Sequence, residues 1–440
     1  MRGRQREDSH IPTPLDDGGW PGVTPQEPRI TTFTSLGNRD YRWFWLSMLA
    51  AFGALHMQLI ARNWLAYELT GGSALSLGFV AGAWGLPVLF MTFLGGTVTD
   101  RVPKRTLLVV TQAINLTITL VVAVLITTGV ITLWHLVLAA FTTGVTFAFN
   151  APGRQAFIPQ LVPRRQLMNA IALNSTGSNL MRVLGYFVGG ALIVAIGVAG
   201  VYYVVVGLYA ASIVLLLMVS VPGSPTARTG ELGPTSGEGN TTSVAADLAQ
   251  GLRYIVHHPL ILSLLALEFI PVMLAMPYMN LLPVFAVDVF GRGPEALGFL
   301  MGAAGVGALV GALTIASLGD LRRKGPLLIG LALLFGVALA IFAFTPSFSI
   351  ALVLLLFVGG GSAAYMAMNN TLIQSNITDE VRGRVMSVYV MTFALMPLGT
   401  LLVSAAVEEV GASLAVGGAG IIVTLFVIAM AIFRPTLRRL

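Results

Sequence analysis

Three sets of residues have types and spacings that could do chemistry. The first is Gly95-Gly96-Thr97-Val98-Thr99-Asp100-Arg101-Val102-Pro103-Lys104-Arg105, one acid and three bases between the apolar runs 74–99 and 106–128. The second is Glu268, an acid inside the apolar run 259–286. The third is Arg182, midway along the run 166–197, with Asn174 and Asn179 on one side of it. An ionisable side chain is expensive in apolar surroundings and by default marks a functional position. A carboxylate there could load and release a proton. A buried guanidinium demands a partner, and Glu268, backbone carbonyls or a bound anion would each serve. Each feature also has a plainer reading: Asp100 in a topology-setting loop, Glu268 hydrogen-bonded inside a helix bundle, Arg182 as an interface lock.

Other chemistries lack their residues. The chain has no cysteine, so disulfides, thiol catalysis and thiolate metal sites are excluded. There is no Gly-x-x-x-x-Gly-Lys-Ser/Thr phosphate loop, so ATP does not drive the protein directly. The adjacent His257-His258 pair lacks helical metal-ligand spacing. The reading is therefore of a non-enzyme with no cofactor and no metal. The net charge is +6, but the bases sit in short clusters between apolar runs, which argues against a nucleic-acid partner.

The elements that must position these residues are membrane helices. Of 440 residues, 56% are hydrophobic and 10% charged, with a mean hydropathy of +0.84. A span needs about 20 apolar residues. Twelve such runs are legible: 43–69, 74–99, 104–128, 132–150, 166–197, 200–220, 259–286, 294–318, 325–345, 348–375, 383–409 and 413–433. Lipid offers no partner to an open backbone, so they are helices. They lack the polar–apolar alternation of barrel strands. Pro271, Pro277 and Pro283 predict a broken seventh span.

Two echoes divide the chain into halves. Asp100 and its bases recur further along the chain as Ser317-Leu318-Gly319-Asp320-Leu321-Arg322-Arg323-Lys324. Arg165-Gln166-Leu167-Met168-Asn169-Ala170 resembles Gly383-Arg384-Val385-Met386-Ser387-Val388, at nearly the same offset. The predicted organisation is a polar tail over 1–42, a six-helix bundle over 43–221, a linker with a surface helix over 222–258, a second bundle over 259–433 and a tail over 434–440. Of the 25 Lys and Arg, 22 fall on one side of this arrangement, which makes both termini cytoplasmic.

These residues resemble the major facilitator superfamily, in its bacterial branch with the enterobactin exporter and macrolide-efflux-like proteins. The likeness rests on Arg62-Asn63-Trp64-Leu65-Ala66-Tyr67-Glu68-Leu69-Thr70-Gly71-Gly72, Leu86-Pro87, Gly95 to Arg105, Arg154-Gln155-Ala156-Phe157-Ile158-Pro159 and Arg182 to Gly190. Gly251-Leu252-Arg253-Tyr254 and Arg382-Gly383-Arg384-Val385 extend it into the second half. The chain departs from the pattern at Pro103, at Ala316 and at Gly185-Tyr186, where a Gly-Pro pair is usual.

The resemblance implies two pseudo-symmetric bundles rocking about a midplane site. It implies a gate in which Gly96 admits a neighbouring helix and Asp100 meets the start of the eleventh span, near Arg382 and Arg384. Arg101, Lys104 and Arg105 belong to that motif, and Asp320 with Arg322 mirrors it. It also implies a cavity lined by the first, fourth, seventh and tenth spans, bringing in His56, Gln58, Asn150, Tyr278, Asn280, Tyr365, Asn369 and Gln374. The cargo would be a small amphipathic molecule, such as a siderophore or drug, exported from a bacterial inner membrane by a monomer using protons. A lysophospholipid flippase or solute importer of the same superfamily is the alternative. A non-transporting membrane sensor is the alternative of another class. The gate reading predicts that Asp100→Asn reaches the membrane normally but lowers flux; unchanged flux at equal expression would contradict it.

Overall fold

The computed structural model describes residues 33–220, 252–318, 323–438 and 440, without the side chains of 92–98, 100, 379, 380 and 394. Gly96 and Asp100 therefore have a described backbone only. Asp320, Arg322 and residues 222–251 of the expected linker 222–258 lie outside the described residues. Of the expected surface helix, residues 252–257 are described, and they are helical.

The described residues form helices and connecting turns, with no strand among them. The first four spans are α1 (Arg39–Leu69), α2 (Ala74–Arg101), α3 (Lys104–Thr127) and α4 (Leu133–Leu161). A 51-residue run, Leu167–Leu217, follows. At about 1.5 Å per residue it would be far longer than a bilayer core is thick. Gly197 resolves this: its φ of 72° and ψ of 171° are not helical, and they fold the run into two arms. Those arms are α5 (167–196) and α6 (198–217). The second half holds α7 (Pro259–Val289), α8 (Pro294–Ser317), α9 (Lys324–Phe344), α10 (Phe348–Ser375), α11 (Val381–Val410) and α12 (Ala412–Phe433). Among the described residues, eleven continuous stretches are long and apolar enough to span, and the fold at Gly197 makes twelve.

Two spans are broken. Within α7, the helix Pro259–Leu274 stops and resumes as Tyr278–Val284, then widens to a π-turn over Phe285–Val289. The break falls between Pro271 and Pro277, where proline removes backbone donors. Within α11, the helix Asp379–Ala394 ends at Leu395 and restarts at Met396, just before Pro397.

The helix ends differ between the two faces. On the face carrying the Asp100 turn, called here the motif face, polar groups cap them. Asn38 Oδ1 accepts from Asp40 N at 3.0 Å at the start of α1, and its Nδ2 donates to Leu161 O at 2.7 Å at the end of α4. Arg105 donates to Leu216 O at 3.1 Å and Leu217 O at 2.6 Å, covering carbonyls that end α6. On the opposite face most turns close on left-handed glycines, including Gly411 with φ 84°, while the turn from α9 to α10 is Thr345-Pro346-Ser347.

The halves touch most extensively along two helix pairs, α2 with α11 and α5 with α8. Both contacts are built the same way. On α2, a Cβ added at Gly78, Gly82 or Gly85 would meet Ser404, Leu401 or Pro397. On α8, a Cβ at Gly298, Gly302 or Gly305 would meet Gly190, Phe187 or Val183. The offset from Asp100 to Asp320 is also the offset from each of the three α2 glycines to its α8 counterpart. Ser404, Leu401 and Pro397 likewise share one common offset from Gly190, Phe187 and Val183 on α5. The two crossings are thus copies of one interface, as a parallel duplication requires. All six glycines are buried. Their missing side chains let backbones approach closely, the main source of helix affinity in lipid.

The relative directions follow from these contacts. α5 runs parallel to α1, since Gly177, Gly185 and Gly189 lie against Leu49, His56 and Ile60 in ascending order. α8 runs antiparallel to α5, so it is parallel to α2. The turns after α2 and α8 therefore lie on the same face. The two glycine crossings occupy the halves of their helices away from that face. At the rim beyond them, Tyr67 donates to Asp288 and Ser73 Oγ donates to Glu408 Oε1 at 2.6 Å, both from one half to the other.

A methyl group at Gly190 would sit 2.7 Å from the Gly298 Cα, a backbone atom that cannot rotate away. Gly190→Val is expected to destabilise the closed crossing by about 1–3 kcal/mol. A cysteine probe at the opposite face should then label faster than in the parent protein. Equal labelling with an unchanged melting temperature would show that the crossing tolerates bulk.

Candidate functional site

Between the halves lies a cavity of about 830 Å³. The glycine crossings close it on one side. On the other it reaches Gly383 and Ser387 near the start of α11, both exposed, so it opens toward the motif face. The lining follows helical spacing. α1 contributes Phe52, Leu55, His56, Leu59 and Arg62, a stripe at i, i+3, i+4, i+7 and i+10, with Gln58 beside it. α2 adds Trp84 and Val88, α4 adds Thr143 and Phe147, and α5 adds Ser178, Asn179 and Arg182. From the second half come Met279 and Asn280 at the break of α7, and Met386, Val390, Phe393 and Pro397 on α11. The break at Leu395 thus falls within the wall.

The wall is mainly apolar and aromatic. Trp84 and Phe147 pack with ring centroids 5.3 Å apart. His56 lies edge-on to Tyr186 at 5.2 Å, with Gly185 pressed against its Cβ. Among the described residues that line the cavity there are two guanidinium groups and no carboxylate. Arg182 Nη2 donates to Asn179 Oδ1 at 2.8 Å, and its Nε has no partner. Arg62 is only 8% exposed, and its Nε is also unpartnered. Arg154 lies 4.2 Å from the centre of the Phe52 ring.

The structure divides the residues singled out from sequence. His56, Gln58 and Asn280 line the cavity. Gln58 is also held inside the first half, donating to Thr119 at 3.1 Å and accepting from Tyr209 at 3.1 Å. Asn150, Tyr278, Tyr365, Asn369 and Gln374 are not part of the lining, against expectation. Asn150 donates to Thr111 at 2.8 Å and accepts from Arg154, both within the first half. Tyr278 is buried near Tyr186 and Arg182. Tyr365 stacks on Phe335 inside the second half. Asn369 donates to Leu264 O at 3.1 Å and Glu268 Oε2 at 2.6 Å. Gln374 is exposed and donates to Asn370 at 2.5 Å. A polar group inside a bundle must find its partners locally, and most of these have done so.

Glu268 and Arg182 are not brought together. Glu268 is fully buried between α7 and α10, with Tyr389 of α11 alongside. It is not part of the cavity lining. Of the gate residues, Arg105 caps α6, and Lys104 is buried with its Nζ donating to Thr99 O. Arg101 and Arg384 are exposed. Arg62 is a cavity residue that the sequence reading places only within a motif. Its signal is the helical spacing from His56 through Leu59.

A duplicated twelve-span bundle around a central cavity defines a membrane transporter of the major facilitator superfamily, not an enzyme. The chain belongs to the family described as transmembrane secretion effector, which matches residues 30–439. It is 25% identical over 360 residues to the multidrug efflux pump Tap of Mycolicibacterium fortuitum, covering 80% of this chain and 85% of that one. It is 23% identical over 377 residues to the staphyloferrin A transporter of Staphylococcus aureus, covering 84% and 90%. The solved nucleoside transporter NupG shares the fold, with a TM-score of 0.67 at 13% identity, covering 90% of this chain and 100% of that one. The protein is a multi-pass protein of a bacterial cell membrane.

Removing the amide that holds Glu268 should be costly. Asn369→Ala is expected to lower stability by about 1–3 kcal/mol. Gln374→Ala, at an exposed position, should stay within about 0.5 kcal/mol. Thermal unfolding in detergent compares the two; equal losses would contradict the placement of Glu268.

Proposed function

We propose that the protein exports a small amphipathic molecule by alternating access, driven by the proton gradient. The observation that carries this reading is the cavity between the halves, sealed by the glycine crossings and open toward the motif face. The two bundles, 43–221 and 259–433, rock as bodies about that cavity, with 222–258 as the tether. The clustered bases put the motif face and both termini in the cytoplasm, so the described conformation is open to the inside. The names of the relatives, a multidrug efflux pump and a staphyloferrin A transporter, support an amphipathic cargo and an outward direction. The working unit is a monomer.

Glu268 is the proton site in this reading. It ties α7 to α10 and borders α11, the helix that forms much of the cavity wall. Gaining or losing its charge changes what Asn369 and Tyr389 can bond, and so biases the position of α11. Asp100 acts as the latch of the opposite state, closing the motif face against the start of α11, with Asp320 as its weaker counterpart.

The test is transport in proteoliposomes under an imposed pH gradient, following a fluorescent amphipathic dye and internal pH together. Dye movement should require the gradient. Glu268→Gln should retain dye binding but lose at least about 90% of gradient-driven transport, a barrier increase of order 1.4 kcal/mol or more. Transport indifferent to the gradient, or to Glu268→Gln, would refute proton coupling through this residue.

A further inference from the structure

The charge of the cavity narrows its cargo. Arg62 is more than nine-tenths buried, faces the cavity and leaves its Nε unpartnered. Its neighbours Tyr202 and Tyr209 are uncharged. Arg182 faces the same space with its Nε also unpartnered, and its one hydrogen bond is to a neutral amide. Among the described residues neither guanidinium has a carboxylate within ion-pair reach, and none lines the cavity. A buried cation without an anion is strongly destabilising, and two facing one cavity leave that cavity with an uncompensated positive field.

The two cations are stacked along one wall. Gly185 of α5 lies against His56 of α1, and Gly189 against Ile60. That register sets Arg182 about three residues on the motif side of His56 and Arg62 six residues on the closed side. At about 1.5 Å per residue they are separated by roughly 13 Å along the bundle. Arg182 is met first from the open face, Arg62 near the sealed end. The same cavity is also lined by apolar and aromatic groups, among them Trp84, Phe147, Met386 and Phe393.

Resting on the transporter reading, we propose that the cavity selects an amphipathic anion. Its oxyanion group meets Arg182 first from the open face and Arg62 nearer the sealed end, and its apolar or aromatic body lies against the lining that includes Trp84 and Phe147. Guanidinium groups suit this role because their planar donors match a carboxylate or comparable oxyanion. An amphipathic cation would meet the same apolar wall but no compensating charge.

The test uses two dyes that share a xanthene core, fluorescein as the anion and rhodamine 123 as the cation. Binding to purified protein in nanodiscs is read by fluorescence anisotropy, with no gradient present. Fluorescein should bind at least about tenfold more tightly than rhodamine 123. Arg62→Gln and Arg182→Gln should each weaken fluorescein about fivefold or more and leave rhodamine 123 within about twofold. Arg→Lys variants, which keep the charge, should retain most of the preference, and size-exclusion profiles check folding. Equal or tighter binding of rhodamine 123, failure of fluorescein to bind, or parallel losses for both dyes in the Gln variants would overturn the proposal. Because no gradient is used, selective fluorescein binding without proton-driven transport would count against the coupling alone. Proton-driven transport of rhodamine 123 in preference to fluorescein would count against this inference alone.

Discussion

At the crossing of α5 and α8, backbone meets backbone. Gly190 and Gly298 leave no room there for a methyl group, and the related crossing of α2 and α11 packs Gly78 against Ser404 just as tightly. In lipid there is little hydrophobic drive to hold two helical bundles together, so close packing must supply it. These two crossings supply it over one half of the membrane depth only. Below them the bundles diverge, and the divergence is the cavity. A seal made of surfaces without side chains has a further property: it contains few interlocked groups to withdraw, so two bodies can part along it without disrupting a core.

The same scarcity of partners in lipid explains where the polar residues went. Asn150, Asn369 and Gln58 bond inside their own halves to Thr111, Glu268, Thr119 and Tyr209. Each half is thereby internally cross-linked, while the polar contacts described between halves are confined to the rim, at Tyr67–Asp288 and Ser73–Glu408. That division favours rigid bodies over a deformable whole. Arg62 and Arg182 face the cavity, and each has an Nε without a partner. They define its chemistry better than the larger number of neutral polar residues nearby.

Much of the fold was legible in the sequence because it follows from length and apolarity. Twelve runs, a broken seventh span and a duplicated half could all be read from residue types. The fold at Gly197 required only a glycine between two apolar runs. The cavity was less legible. Helical spacing places a residue on a stripe but does not say which stripe faces the partner half. Asn369 and Tyr365 lie on a helix of the expected set, yet on faces turned into the bundle. Arg62 lies on the right face, and its stripe with His56 and Leu59 was there to be read. The glycine crossings were also present, as three glycines at one spacing repeated at the same separation as the Asp100 motif. A small residue becomes a signal only when its partner is known, and that partner lies on a helix far along the chain.

The central claim is that the halves exchange between a state sealed by the glycine crossings and one sealed at the motif face. The absence of native cysteine makes spin labelling direct. Two doubly labelled proteins suffice: Met168→Cys with Ser375→Cys on the motif face, and Val130→Cys with Leu414→Cys on the opposite face. Electron–electron double resonance in nanodiscs, across pH and with an amphipathic dye, should show two distance populations for each pair. As the motif-face distance shortens, the opposite-face distance should lengthen. Single, unchanging distances for both pairs under every condition would contradict the account.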